Sequence, residues 1–235
     1  MTRTYSIWCR KNDYTKYFCD FSINILLEEL KEANEYIIGK IKETDNLILE
    51  MEAYAVEHNV PIVTKEVAKY LEFTVRTYGI KNILEIGAAI GYSGTIMARE
   101  CKKFGGKLTT IEIEETRYNE AKVNFEKSGL DNINLHFGDA LEVIPKLDET
   151  YDFVFMDAAK GQYNAFFDLV LPKMNKGGII FIDNIMFRGY LYKEYPKRFK
   201  TIVKKLDSFI DRLYEEHDFV LLPFGDGIGI VKISS

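Results

Sequence analysis

Apolar positions fall into two textures along the chain. Up to Tyr78 they recur at steps of three and four. Leu26, Leu30, Ala33, Ile37 and Ile41 form one series and Leu47, Met51 and Tyr54 a second, the spacing that lines one face of an α-helix. Asn59 and Pro61 interrupt the second series, Thr64 offers an N-cap, and a third helix runs to about Tyr78 with Gly79 as its stop. Beyond Gly79 short apolar runs alternate with helical stretches. Strands are predicted over 82–86, 107–113, 133–137, 153–156 and 178–182, and helices over 92–103, 116–127, 141–147 and 162–173. Such alternation builds βαβ units, hence a parallel sheet with helices on both faces. A long helix over 196–216 leads to two strand-like runs, 219–222 and 228–233. The joint between them is too short for a crossover helix, so these two strands pair antiparallel as a C-terminal hairpin. The expected fold is α/β, with a seven-stranded, mostly parallel sheet. Residues 1–22 show no clear period and read as an N-terminal extension of unknown structure. Residues 23–235 read as a single domain that starts with helices.

Composition narrows the class. Of 235 residues, 47% are hydrophobic and 29% charged, which excludes disordered and fibrous chains and supplies a sizeable core. Against 31 Lys and Arg stand 36 Asp and Glu, and a net charge of -5 gives no global footprint for nucleic acid, although a local basic patch is compatible with it. The longest uncharged run, Ile86 to Ala98, is shorter than the roughly 20 apolar residues of a membrane span. With no apolar signal stretch at the N-terminus, the expected location is cytoplasmic, without a membrane partner. Cys9, Cys19 and Cys101 have no metal-binding spacing and read as reduced thiols.

Candidate chemistry collects where strands end. Gly87-Ala88-Ala89-Ile90-Gly91-Tyr92-Ser93-Gly94 follows the first strand and opens a helix, a place where glycines let a ligand approach the backbone and free N–H groups attract anions. Ala89 stands where a dinucleotide fingerprint has its second glycine, which disfavours a packed pyrophosphate and an NAD-dependent dehydrogenase. S-adenosyl-L-methionine (SAM) carries no phosphate, and its carboxylate suits the helix N-terminus near Ser93; an unliganded turn is the plain alternative. Glu112, ending the second strand, stands where ribose hydroxyls need an acceptor, or it begins a solvated helix. Asp139, in Gly138-Asp139-Ala140 after the third strand, would lie beside the adenine, and serves equally as a helix cap.

Asp157-Ala158-Ala159-Lys160 follows the fourth strand and Asp183-Asn184 the fifth. Neighbouring strands lie roughly 4.8 Å apart, so the two carboxylates would repel unless a cation sat between them. Asp157, Asp183 and Asn184 form an all-oxygen set suited to Mg²⁺ or another hard divalent ion; two helix caps are the alternative. A cation and a sulfonium nearby would favour the neutral amine of Lys160, the form a general base needs.

Together, Leu84-Glu85-Ile86-Gly87, Gly91-Tyr92-Ser93, Asp157 to Lys160 and Asp183-Asn184 resemble the cation-dependent O-methyltransferases, the catechol and caffeoyl-CoA type, over about residues 25–235. The resemblance implies a Rossmann-like SAM-dependent fold and a homodimer. It assigns the metal to Asp157, Asp183 and Asn184 and the base to Lys160. It implies that Val63, Glu85, Gly87, Ser93, Glu112, Asp139 and Ala140 line the cofactor, with Asp157 beside them. It further implies a substrate with two adjacent oxygens, whose hydroxyl yields its proton to Lys160 and attacks the methyl group. Within the family, residues 89–93, 157–163 and Asp183-Asn184 leading into Phe187-Arg188-Gly189 are most similar to the bacterial tRNA 5-hydroxyuridine methyltransferases. That likeness makes tRNA the expected substrate.

One feature outside these motifs bears on the choice of substrate. Arg188, Lys193, Lys197, Arg198, Lys200, Lys204 and Lys205 are accompanied by a single acidic residue, Glu194, and by Tyr190, Tyr192 and Tyr195. Arg188, Lys197 and Arg198 are the RNA-contact candidates, the phosphates held by cations and a base stacked on a tyrosine. A solvated helix face remains the alternative, and with it a small catechol-like substrate. A non-catalytic RNA-binding protein is disfavoured because the metal set and Lys160 are all present.

Overall fold

The computed structural model describes residues 23–234, with side chains from residue 32 onward. Residues 1–22, with Cys9 and Cys19, lie outside the described residues. The chain divides into two units, 1–42 and 43–235. In the first, helix α1 (Ile23–Lys40) occupies the stretch where the period of three and four predicts it, and Lys40 lies over the ring of Tyr36.

The second unit opens with α2 (Asn46–His58) and α3 (Lys65–Tyr78). Asp45 caps α2 by accepting the Ile48 N–H, and Asn59 closes it in the left-handed conformation. Gly79, at φ 60°, ends α3 as predicted, whereas the Thr64 side chain at its N-cap makes no capping bond. Strands and helices then alternate: β1 (Asn82–Ile86), α4 (Tyr92–Lys102), β2 (Lys107–Glu112), α5 (Glu115–Ser128), β3 (Ile133–Phe137), α6 (Ala140–Val143), β4 (Tyr151–Met156), α7 (Tyr163–Val170) and β5 (Met174–Ile182). Helix α8 (Lys200–Glu216) leads to β6 (Asp218–Leu222) and β7 (Ile228–Lys232). The seven strands form one sheet in the order β3-β2-β1-β4-β5-β7-β6. β1 to β5 are parallel, and β7 runs antiparallel to both β5 and β6.

Three predicted helices are shorter than the apolar period suggests. The stretch over 141–147 is a short α6 and then a 3₁₀ turn, Ile144–Lys146, because Pro145 has no N–H to continue the α-helical ladder. Pro172 ends α7 in the same way, in the turn Leu171–Lys173. The long C-terminal helix starts as a 3₁₀ turn, Lys197–Phe199, before α8 proper.

Alternation along the strands sets the layers. Ile83, Phe153, Phe155 and Phe181 pack with Met51, Leu71, Val75 and Met97 of α2, α3 and α4. Leu84, Ile86, Val154, Met156, Ile180 and Ile182 pack on the other face with Phe166, Phe167, Leu206 and Leu213 of α7 and α8. The Phe181 ring centroid lies 5.6 Å from that of Phe155 and 6.1 Å from that of Phe153. Burying each such ring contributes roughly 1.5–3 kcal/mol. Cys101 is a buried free thiol. Among the described residues no helix is long and apolar enough to cross a membrane.

Candidate active site

The carboxyl ends of the central strands stop side by side. Gly87 N–H donates to the Ile111 carbonyl at 2.9 Å, Asp157 N–H to Ile86 at 3.0 Å, Asp183 N–H to Met156 at 3.0 Å, and Gly138 N–H to Glu112 at 2.9 Å. Gly87, Glu112, Asp157 and Asp183 therefore leave neighbouring strands at one edge, where open α/β sheets bind ligands. Gly87 has φ 100°, and a Cβ there would stand 2.2 Å from the Asp157 carbonyl oxygen, so only glycine fits. A cavity of about 440 Å³ opens over this edge. Gly87, Glu112, Asp139, Ala140, Asp157, Lys160 and Asn184 line it, all of them candidates from the sequence. Gln162 of the 157–163 motif and Ile62 also line it, as do Arg117 and Phe166, which no sequence signal singled out.

Glu112 is held by the turn it faces. Its Oε2 accepts the Ala89 N–H at 2.8 Å, while Oε1 accepts those of Ile113 and Glu114 at 3.0 and 2.9 Å. Ala89 sits at φ 46°, a conformation an L-residue adopts at a cost of roughly 1–2 kcal/mol. A carboxylate has about four lone-pair sites, so Glu112 keeps capacity for ligand hydroxyls. Asp139 both caps α6, accepting the Leu141 N–H at 2.9 Å, and lines the cavity.

Three cofactor candidates lie beneath the cavity rather than in its wall, and the metal candidate Asp183, buried at the end of β5, does not line it either. Val63 is buried in the apolar cluster of α2 and α3, and its neighbours Pro61 and Ile62 reach the cavity instead. Glu85 is wholly buried; Ser93 Oγ donates to its Oε1 at 2.5 Å and Thr110 Oγ1 to its Oε2 at 2.6 Å. The Ser93 hydroxyl is thus engaged by Glu85, and the pair braces the glycine-rich turn from below. Burial raises Glu85 to about 7, against the two hydroxyl donors that favour its carboxylate. The native state therefore holds a proton that the unfolded chain releases above its ordinary value of 4.5. The stabilisation from that proton is fully present below pH 4.5 and is lost as pH rises through about 7. Urea unfolding across this window should show Glu85→Gln losing less stability with rising pH than the parent protein. Equal losses would place the linked proton on another group.

The acidic pair is electrostatically incomplete. Asp183 is buried: its Oδ1 accepts the Asn184 N–H at 2.7 Å, and its Oδ2 is buried with no partner. Burial first, and the charge of Asp157 second, push Asp183 up to about 6. Burial likewise raises Asp157, with Lys160 opposing. The Tyr163 hydroxyl donates to the Asp183 carbonyl at 2.7 Å and fixes the strand end. Among the described residues no three His, Cys, Asp or Glu side chains gather as a metal cluster. The donors available here are two carboxylates and the Asn184 amide, an all-oxygen set, and the unpartnered Asp183 oxygen fits a hard divalent cation.

The segment after Asn184 is strained. Asn184, Phe187 and Arg188 have φ values of 54°, 47° and 60°. Asparagine tolerates this region; the other two are held there by the β6–β7 turn. The Arg188 N–H donates to the Asp226 carboxylate at 2.6 Å, and Ile185 and Met186 donate to the Gly227 and Asp226 carbonyls. Asp226 carries no motif, and Gly225-Asp226-Gly227 reads as an ordinary hairpin turn; only the topology brings it here. Its carboxyl is raised by burial and lowered by the Arg188 N–H and by Lys160. Lys160 thus stands in the field of three carboxylates, Asp157, Asp183 and Asp226.

Arg188, Lys197 and Arg198 are exposed and lie outside the cavity wall. Arg198 covers the Phe199 ring. Tyr190 packs against Phe187 and Phe199 with centroids 5.4 Å apart in each pair, so its ring organises the segment. Tyr192 and Tyr195 remain exposed.

Known proteins share this fold. The sequence profile of the O-methyltransferase family matches residues 41–233, and the chain belongs to that family. It is 29% identical over 171 residues to a catechol O-methyltransferase of Niastella koreensis, covering 70% of this chain and 77% of the relative. It is 26% identical to a caffeoyl-CoA O-methyltransferase of Medicago sativa, covering 74% and 75% of the two chains. An O-methyltransferase from Bacillus cereus, solved in complex with SAH, superposes with a TM-score of 0.77 at 25% identity, over 88% of this chain and all of the other.

Proposed function

We propose that the protein transfers a methyl group from SAM to a hydroxyl with a second oxygen beside it, with a divalent cation such as Mg²⁺ held by Asp157, Asp183 and Asn184. The observation that carries this reading is a single cavity that joins Glu112 and Asp139 at one end to Asp157, Asn184 and Lys160 at the other. SAH, the demethylated form of SAM, in the Bacillus cereus relative supports the cofactor. Glu112 and Asp139 would accept hydrogen bonds from ribose hydroxyls and adenine, and the bare backbone at Gly87 gives the cofactor room. When bound, SAM supplies an electrophilic methyl group, and the cation lowers the pKa of a hydroxyl that it holds. Lys160 takes the hydroxyl proton on Nζ. Ile62 and Phe166 add apolar surface to the cavity wall.

For the substrate we propose 5-hydroxyuridine at the tRNA wobble position, converted to 5-methoxyuridine. Its 5-hydroxyl and 4-oxo group supply the oxygen pair, and the exposed basic segment over 188–205 supplies cations for the RNA backbone. A second reading, a catechol-like or phenolic substrate, is favoured by the activities of the relatives in Niastella koreensis and Medicago sativa. Purified protein with SAM and Mg²⁺ should convert 5-hydroxyuridine-bearing tRNA, read by mass spectrometry of its nucleosides. Turnover of catechols with none of that tRNA would select the second reading. RNA binding without SAM consumption would remove both.

A further inference from the structure

Lys160 lines two openings. One is the cavity over the sheet edge, and the other is a groove of about 700 Å³ between α7 and α8. Tyr163, Leu206 and Phe209 are its buried residues, and Lys200, Lys204 and Lys205 its exposed cations. Lys200 and Lys204 stand one turn apart, about 6 Å along the helix. Arg188, Lys197 and Arg198 line neither opening.

The electrostatics of this groove are one-sided. Helix α8 begins at Lys200 and has no acidic residue in its first turn. A helix N-terminus already carries partial positive charge, so these lysines add to the potential there. Among the described residues, the side chains of Lys200, Lys204 and Lys205 take part in no ion pair or hydrogen bond. Arg212, further along the same helix, is by contrast paired with Asp168 and Glu216. A chain with a net charge of -5 thus leaves three cations unpaired in a concave surface that shares a wall with its reacting end.

We propose that this groove binds the phosphodiester backbone of the RNA strand running on from the methylated nucleotide, with Lys200, Lys204 and Lys205 as its phosphate contacts. The inference rests on the tRNA reading above. Lys160 stands at the junction, so a nucleotide placed in the cavity delivers its flanking phosphates into the groove. Single-stranded RNA is held in this way by a positively charged channel that tracks the backbone without reading sequence.

The test is a salt titration of the full chain binding an anticodon stem–loop that contains 5-hydroxyuridine. The groove variant is Lys200→Ala, Lys204→Ala and Lys205→Ala together. A control variant, Lys122→Ala, Lys146→Ala and Lys176→Ala, removes the same charge from exposed lysines outside the groove. Each lost contact to a single strand reduces the log-log salt slope by roughly 0.7, so the groove variant should lose about 2 from the slope and the control almost nothing. Arginine at the same three positions should restore the slope, which an unfolded or misfolded variant would not allow. If the parent protein binds in a salt-dependent manner and the groove variant keeps its slope, the groove assignment is overturned while the tRNA reading stands. If the parent protein shows no salt-dependent binding, the tRNA reading and the groove fall together.

Discussion

Removing divalent cations with EDTA should abolish methyl transfer, and Mg²⁺ should restore it. The expectation follows from the state of the acidic pair. Asp183 keeps one carboxylate oxygen buried and unpartnered, and both Asp183 and Asp157 are pushed upward by burial, Asp183 also by its neighbour's charge. Ionising both in that setting is unfavourable unless a cation offsets the repulsion. A dication at an oxygen donor set supplies several kcal/mol of charge stabilisation, and each 1.36 kcal/mol is about tenfold in rate. Asp183→Ala and Asp157→Ala should therefore each lower kcat/KM by about 10³ or more. A binding readout separates this from damage to the fold. Mg²⁺ should raise the melting temperature of the parent protein by mass action and leave that of Asp183→Ala unmoved. SAM affinity of Asp183→Ala, measured by calorimetry, should change little, because Glu112 and Asp139 leave from β2 and β3. Full turnover in metal-free protein would remove the cation from the mechanism.

The edge that gathers these residues was legible because it depends on local rules. Alternating apolar runs give the strands, glycines at strand ends give the turns, and the parallel order brings the ends of β1, β2, β4 and β5 to one side. What periodicity missed was set by single atoms. Pro145 and Pro172 convert the ends of two helices to 3₁₀ turns through a missing N–H, although the apolar spacing continues past them. In the site, a motif such as Leu84-Glu85-Ile86-Gly87 names residues but not the side of the turn on which each side chain falls. Glu85 and Ser93 pair beneath the turn through their own hydrogen bond, and Val63 joins the apolar core against α2 and α3. Asp226 was hidden for another reason: it is distant in sequence and reaches the site only because β7 inserts between β5 and β6.

Lys160→Ala should lower kcat by about 10² to 10⁴, the usual cost of losing a general base, and weaken SAM binding far less. Lys160 starts the 3₁₀ turn between β4 and α7, lines the cavity beside Asp157, and is attracted by Asp157, Asp183 and Asp226. Two roles fit such a position: a proton acceptor, or a fixed positive charge that keeps three carboxylates compatible. Lys160→Arg separates them. The guanidinium preserves the charge but is not deprotonated in proteins, so an arginine there cannot take the hydroxyl proton. If Lys160 is the base, Lys160→Arg should be about as slow as Lys160→Ala at saturating substrate, while retaining more of the parent protein's thermal stability. An arginine variant with near-normal kcat would assign Lys160 to charge balance alone and leave the proton to be accepted by another group.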